Sequence, residues 1–330
     1  MNGKLNVIIT GAAGLYGTHL VANLVLDPEI GHIYAMDNYS RRFLKSDPFL
    51  RVDGFDKKVT IEDRYFQSIK AKELDKRKID VIIHLAAFIS VPESMESEAN
   101  QDRYLDNNVR GILKLLQEID ECDRMPEDKP LLIYSSSPEV YGKPQFTPMT
   151  EEHPLNPCSV YAATKVAAEK LICSYQEWDS FPAVIIRNFN TYGPNQNNGR
   201  AGAVTAIFID KALHNTPIHI EGDGRQTRDF QYVKDAVTAY AMVAKTGSRL
   251  AGSIFNIGSG VQTSIRDMAA LIVELAGSTS EITFTPGRAC DLMALEADCT
   301  KIRKAVGWEP KYTLRDGLIE TIRWYRDLLK

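Results

Sequence analysis

The chain has 330 residues, which is enough for one large domain or two interlocked ones. Its composition, 44% hydrophobic and 25% charged, is typical of a folded globular protein and excludes wholesale disorder. The formal net charge of −4, with no long run of one sign, argues against a basic surface for nucleic acid.

Targeting, membrane and metal-binding patterns are absent from the sequence. The opening apolar run meets glycines at once, unlike a secretory signal. No stretch approaches the roughly eighteen uninterrupted apolar residues that a membrane span needs. The five cysteines and six histidines show no ligand spacing. We therefore expect a cytoplasmic protein with reduced thiols, no bound metal, and no membrane or nucleic-acid partner.

Apolar strand-like runs alternate with segments of helical period. The strand-like runs are 5–9, 33–36, 59–61, 81–85, 131–134, 183–186 and 254–257. The helical segments include 104–121, 159–178, 234–245, 264–276 and 314–329. Because these strands are apolar nearly throughout, they predict a parallel sheet covered on both faces. The fold class is therefore α/β: a Rossmann-type doubly wound parallel sheet with a smaller C-terminal α/β lobe.

A glycine-rich turn, Thr10-Gly11-Ala12-Ala13-Gly14-Leu15-Tyr16-Gly17, joins the first strand to the first helix. Such glycines permit a tight turn and close approach of the backbone to a pyrophosphate, which the helix N-terminus also attracts. Asp37, at the end of the second strand, suits the adenosine ribose hydroxyls and repels the additional phosphate of NADP. The pattern predicts NAD, although Arg41 and Arg42 keep NADP open.

Tyr161 and Lys165 lie one turn apart on a predicted helix, so their side chains share one face. A free tyrosine has a pKa of about 10. A lysine cation and an oxidised nicotinamide ring would favour the phenolate and make it a base for a hydroxyl proton. Ser137, after the fifth strand, lies where ligands gather in such sheets. The three residues predict hydride chemistry on the carbon that bears a substrate hydroxyl.

The ordered motifs resemble the extended short-chain dehydrogenase/reductase superfamily, in its nucleotide-sugar epimerase/dehydratase branch. The matching stretches are the glycine turn, His84–Ala87, Asn107–Gly111, Ser135–Gly142, Tyr161–Lys165, Arg187–Pro194, Gly222–Phe230, Phe255–Gly258, Arg288, Asp291, Ala297–Asp298 and Val306–Pro310. The resemblance implies a tightly held NAD that is reduced and reoxidised within one turnover. It also implies a homodimer built through helices 104–121 and 159–178.

The resemblance assigns roles residue by residue. Tyr161 would be the base, Lys165 would bind the nicotinamide ribose, and Ser137 and Glu139 complete the catalytic set. The implied cofactor contacts are Gly11, Gly14, Leu15, Tyr16, Gly17, Asp37, Asn38, Ser68, Ile69, Leu85, Ala86, Ala87, Asn108, Ser135, Tyr161 and Lys165. The implied substrate contacts are Ser90, Ser137, Asn190, Val204, Arg228, Arg288 and Asp291.

The domain boundaries follow from the same resemblance. Residues 1–188, with about 231–262, are expected to form the NAD-binding Rossmann domain. Residues 189–230 and 263–330 are expected to form the lobe that binds the nucleotide sugar.

Three positions depart from the pattern. Ser68 stands where relatives usually carry an aspartate for adenine, and Ile220-Glu221-Gly222 lacks the aromatic that often stacks on the nucleobase, which leaves uridine as a default. Pro138 stands where sugar dehydratases carry an acid, yet Glu139 is typical of dehydratases and decarboxylases.

Three functions therefore stay open. The leading hypothesis is a nucleotide-sugar 4-epimerase that acts through a transient 4-keto intermediate, with a UDP-hexose or UDP-hexuronate as default substrate. The alternative is a nucleotide-sugar decarboxylase or 4,6-dehydratase that uses Glu139. A non-catalytic NAD-binding regulatory protein is the hypothesis from another class, which retention of Ser137, Tyr161 and Lys165 disfavours.

Overall fold

Strands and helices alternate in the computed structural model, which describes residues 3–40, 47–199, 202–287 and 293–330. The strands are β1 (Leu5–Thr10), β2 (Ile30–Asp37), β3 (Val59–Asp63), β4 (Val81–His84), β5 (Leu131–Ser136), β6 (Ala183–Asn188), β7 (Asn190–Tyr192), β8 (Ile218–Glu221), β9 (Thr227–Tyr232), β10 (Ile254–Ile257), β11 (Gln262–Ser264) and β12 (Ile282–Thr285). The helices are α1 (Leu15–Val25), α2 (Phe55–Lys58), α3 (Ala71–Arg77), α4 (Glu93–Glu96), α5 (Glu98–Leu105), α6 (Gly111–Asp120), α7 (Val160–Asp179), α8 (Val204–Leu213), α9 (Val233–Thr246), α10 (Ile265–Ala276), α11 (Thr300–Val306) and α12 (Leu314–Leu328).

The principal sheet of the described residues has seven strands in the order β10-β6-β5-β4-β1-β2-β3. Each neighbouring pair is parallel. Successive side chains of a strand enter opposite cores, as Ile82 and Ile83 do, which explains why the strands are apolar nearly throughout. The predicted Rossmann-type doubly wound fold is confirmed. The strand order reverses at β1 and β4, and a ligand crevice is expected at their carboxyl ends.

The chain after β6 also forms two small sheets. One has the order β11-β9-β7, and the other pairs β12 with β8. The sequence reading recognised neither α8 nor β8, because the stretch 190–230 is rich in Gly, Asn and Thr. β8 is held by a parallel partner far along the chain, with Ile218 opposite Ile282. Local patterns carry no signal of such a distant partner.

The predicted helix 104–121 is part of a longer helical stretch. It comprises α5, a π-helical turn over Asp106–Arg110, and α6. The π turn brings Asn107 and Asn108 near the crevice, where each makes side-chain hydrogen bonds to residues of other elements. None of the helices in the described ranges is both long and apolar enough to cross a membrane.

Candidate active site

A cleft of about 790 Å³ lies at the carboxyl ends of the principal strands. The ends of β1, β2, β5 and β6 line it, because parallel strands deliver their carboxyl ends to one edge of the sheet. The glycine turn, Asp37, Ser137, Tyr161 and Lys165 all line this one cleft. The residues that the sequence predicts for cofactor and proton chemistry therefore meet in space.

The glycine turn packs tightly on itself and stays open toward the cleft. Gly11 has a left-handed φ of 70°. A Cβ on Gly17 would lie only 2.5 Å from the Ala12 Cα, so a side chain has no room there. A Cβ on Gly14, which caps α1, would meet only the Gly11 carbonyl oxygen, at 3.3 Å. The N-terminus of α1 is thus unobstructed for an anion.

Asp37 ends β2 beside this turn. One carboxylate oxygen accepts a hydrogen bond from the Ala13 N–H at 3.0 Å, and the other accepts from the Tyr39 N–H at 2.7 Å. Burial raises the pKa of Asp37, and these backbone donors counteract the rise. Each oxygen keeps a further lone pair for a ribose hydroxyl. Arg41 and Arg42, which kept NADP open, lie outside the described residues.

Tyr161 lies in the first turn of α7. Ser159 begins this helix, since its hydroxyl accepts a hydrogen bond from the Ala162 N–H at 3.1 Å. Tyr161 is only 6% exposed, and the Ser137 side chain is near enough to lower the pKa of its phenol. Both residues line the cleft.

The protein by itself makes Tyr161 less acidic, not more. Burial raises the pKa of Tyr161 well above its usual value, the Ser137 hydrogen bond lowers it, and the Glu139 charge raises it further. The phenolate expected from the lysine cation together with an oxidised nicotinamide ring is thus not produced by the groups of the chain alone. Desolvation of the charged form outweighs the favourable contacts that the chain provides.

Lys165 lies one turn further along α7 and is buried. Its Nζ donates a hydrogen bond to the Ser135 carbonyl at 2.7 Å and lies 4.8 Å from the centre of the Tyr134 ring. Burial lowers the pKa of Lys165 to about 7, and the carboxylate of Glu169 partly opposes this. The Lys165 ammonium is therefore hydrogen-bonded to the end of β5, beside Ser136 and Ser137.

Pro138 and Glu139 both line the cleft, in a single 3₁₀ turn that follows β5. Ser137 begins this turn by accepting the Glu139 N–H at 3.3 Å. The Glu139 carboxylate is near enough to raise the pKa of Tyr161. The turn thus places one acidic side chain, that of Glu139, at the cleft and a proline at position 138.

Other predicted residues are distributed unevenly. Those that line the cleft are Leu15, Tyr16, Asn38, Leu85, Ala86, Ala87, Ser135 and Asn190. Those in the described ranges that do not line it are Ser68, Ile69, Ser90, Asn108, Val204 and Arg228. Arg288 and Asp291 lie outside the described residues. The Asn190 Oδ1 is buried and has no hydrogen-bond partner among the described residues.

Two of the residues that do not line the cleft, Ile69 and Asn108, are held in the surrounding structure. Ile69 is 1% exposed and packs in the core. Asn108 donates to the Phe88 carbonyl at 2.9 Å and accepts the Phe88 N–H at 3.0 Å, so it fixes the loop after β4. The motif Asn107–Gly111 therefore includes a residue, Asn108, that holds the loop after β4 in place.

The sequence reading missed several polar residues of the cleft. They are Gln67, Asn107, Asn188, Thr191, Asn195, Gln196 and Asn197. Asn188 ends β6, and that strand-end position was an available signal; Thr191 lies in the short β7, and residues 195–197 follow it.

Comparisons with known proteins agree with this geometry. A family model described as GDP-mannose 4,6 dehydratase matches residues 8–321. A UDP-glucose 4-epimerase of Mycolicibacterium smegmatis is 33% identical over 98% of this chain and 99% of that protein. UDP-glucuronic acid decarboxylase 1 of Xenopus tropicalis is 31% identical over 99% of this chain and 73% of that protein.

A solved structure supports the same relationship. UDP-glucuronic acid 4-epimerase from Bacillus cereus, in complex with UDP-glucuronic acid and NAD, is 25% identical to this chain. Its TM-score is 0.86, covering 98% of this chain and 100% of that one. The predicted resemblance is confirmed, and the chain belongs to the GDP-mannose 4,6 dehydratase family, part of the extended short-chain dehydrogenase/reductases that act as NAD-dependent epimerases and dehydratases.

Proposed function

We propose that the chain is an NAD-dependent nucleotide-sugar 4-epimerase with a UDP-hexose or UDP-hexuronate as substrate. The observation that carries this proposal is that Ser137, Tyr161 and Lys165 line the same cleft as the glycine turn. Pro138 also supports it, because epimerisation at C4 requires no acid at that position. The relatives named after 4-epimerisation match this chain over almost its whole length.

The cleft residues fit NAD. Gly14 leaves the N-terminus of α1 open for the pyrophosphate, and Asp37 offers acceptors to the adenosine ribose. Lys165, held at the end of β5, is placed for the nicotinamide ribose. When bound, NAD supplies a reversible two-electron acceptor and a positive charge to this cleft.

Tyr161 moves the proton in the proposed reaction. The phenolate accepts the C4 hydroxyl proton as that carbon is oxidised to the ketone. The phenol returns the proton after the 4-keto sugar has rotated to present its other face. Ser137 hydrogen-bonds the same oxygen and holds it in line. The positive charges of Lys165 and of bound NAD would favour the phenolate and so offset the burial that raises the pKa of Tyr161.

Glu139 supports a second candidate, a decarboxylase or 4,6-dehydratase. Its carboxylate lines the cleft near Tyr161, where it could act next to the oxidised carbon. The same first oxidation serves both reactions. The product therefore distinguishes them, while the loss of Tyr161 affects both alike.

The deciding experiment follows products by NMR. The full chain is incubated with UDP-glucose, UDP-glucuronate and dTDP-glucose. We expect a C4 epimer, and Tyr161→Phe should lower kcat by about 100- to 10,000-fold because it removes the acid–base group. Glu139→Gln serves as the matched variant and should still form the epimer. Release of carbon dioxide or of a 4-keto-6-deoxy sugar would instead establish the second candidate.

The same product experiment tests the regulatory hypothesis. A binding protein would convert none of these sugars, and Tyr161→Phe would leave its function intact. The chain belongs to a family of enzymes and retains Ser137, Tyr161 and Lys165 in one cleft, so this hypothesis is not favoured.

The arrangement of domains and subunits completes the proposal. The cofactor would be bound by 1–188 with about 231–262, and the nucleotide sugar by 189–230 and 263–330. A homodimer would form through 104–121 and 159–178. Leu105 supports this, since it lies on α5 with 49% of its surface exposed. A cytoplasmic location stays a prediction.

A further inference from the structure

Gln67 lies just beyond β3, at the Asp37 end of the cleft. The Arg64 N–H donates to the Asp37 carbonyl at 3.0 Å, which places the turn after β3 beside that aspartate. Residues 64–67 line the same cleft as Asp37. Because Asp37 suits the adenosine ribose, the base of a dinucleotide falls at this end.

The orientation of the Gln67 amide is fixed by a chain of hydrogen bonds that starts at a backbone. Asn108 has only one possible orientation, since its Oδ1 accepts the Phe88 N–H and its Nδ2 donates to the Phe88 carbonyl. Asn107 must then donate its Nδ2 to the Asn108 Oδ1, at 3.0 Å. The Asn107 Oδ1 is left to accept the Gln67 Nε2, at 3.2 Å. The Gln67 amide nitrogen is therefore the hydrogen-bonded atom, and its carbonyl oxygen is the atom without a partner among the described residues.

That free oxygen is buried and unsatisfied. The Gln67 Oε1 accepts no hydrogen bond from any described residue. An unpaired buried acceptor is costly, so a partner is expected. Gly111 makes room for this arrangement, because a Cβ there would lie 2.7 Å from the Phe66 ring and 3.0 Å from the Gln67 Nε2.

Ser68, the expected adenine contact, is used differently. Its side chain is exposed and its hydroxyl donates to the Tyr65 carbonyl at 2.6 Å. It also accepts from Arg64 at 3.1 Å. Ser68 thus braces the turn, while its neighbour Gln67 lines the cleft.

We propose that Gln67 selects adenine in the bound dinucleotide by accepting a hydrogen bond from the 6-amino group at Oε1. Hypoxanthine carries a carbonyl oxygen at that position, so two acceptors would face each other. The inference rests on the proposed NAD-dependent function and names the residue that recognises the base.

A competition experiment tests this without any catalytic readout. The full chain is equilibrated with equal concentrations of NAD and nicotinamide hypoxanthine dinucleotide, re-isolated, and its bound dinucleotides are quantified by chromatography. We expect wild type to retain NAD over the hypoxanthine analogue about tenfold, the value of one hydrogen bond. Gln67→Ala should bring the ratio close to one. Asn107→Leu should lower it partly, because the glutamine amide is then free to flip.

Ser68→Ala is the matched control and should leave the ratio at the wild-type value. The inference fails if wild type retains both dinucleotides equally, or if Ser68→Ala lowers the ratio as much as Gln67→Ala does. Retention of neither dinucleotide would overturn the NAD-dependent function as well. Failure of the base selection alone is thereby distinguishable from failure of the proposed function.

Discussion

At the scale of single residues, Lys165 links the site to the stability of the fold. Its pKa is about 7 in the folded protein, against about 10.4 in an unfolded chain. Between these values the unfolded chain binds a proton that the folded chain lacks. Folding therefore becomes more favourable as the pH rises through this window, by at most about 1.4 kcal/mol per pH unit from this group. Below pH 7 the full cost of burying the ammonium remains.

Lys165→Met should therefore gain stability over wild type at pH 6.5, and that gain should shrink by pH 9.5. Urea unfolding at the two pH values measures it. Lys304→Met is the control, because Lys304 is exposed on α11, outside the proposed dimer interface. A difference between Lys165→Met and wild type that is equal at both pH values would contradict the buried-cation account.

At the scale of elements, the β1–α1 turn contains two glycines with different roles. Gly17 is required for packing, whereas Gly14 faces the cleft. Gly17→Ala should destabilise the protein by about 1–3 kcal/mol, because the new Cβ would collide with the Ala12 backbone. Gly14→Ala should unfold near the wild-type temperature yet retain less NAD, since its Cβ has only one close neighbour. Thermal unfolding and dinucleotide retention, measured on both variants, should show opposite patterns. If both variants lose stability equally, the distinction is wrong.

At the scale of the whole molecule, the homodimer is open to a direct measurement. Light scattering on the eluted protein should give twice the chain mass of 37.0 kDa. Leu105→Glu should shift this toward a single chain, because a charge would be buried at the proposed interface. Leu328→Glu is the matched control, as Leu328 is 45% exposed on α12, away from the proposed surface. A single-chain mass for wild type would exclude the dimer.

Local sequence pattern is enough to predict the principal sheet and the residues at the centre of the cleft. The alternation of apolar and helical runs predicts β1 to β6 in outline, because most of these strands are buried on both faces. Gly14, Asp37, Ser137, Tyr161 and Lys165 are likewise recognisable, since each lies in the turn after a strand, at a strand end or on a helix face. Such positions are fixed by short-range pattern and by the common edge where parallel strands end.

Features that depend on residues far apart in the chain follow from the fold and from no local pattern. β8 forms because β12 pairs with it. The orientation of the Gln67 amide depends on Asn107, whose own orientation depends on Asn108 and the loop after β4. Burial likewise is the largest influence on the pKa of Lys165, which it lowers, and on the pKa of Tyr161, which it raises. Desolvation and hydrogen-bond direction are properties of the whole environment of a group, and no local pattern encodes them.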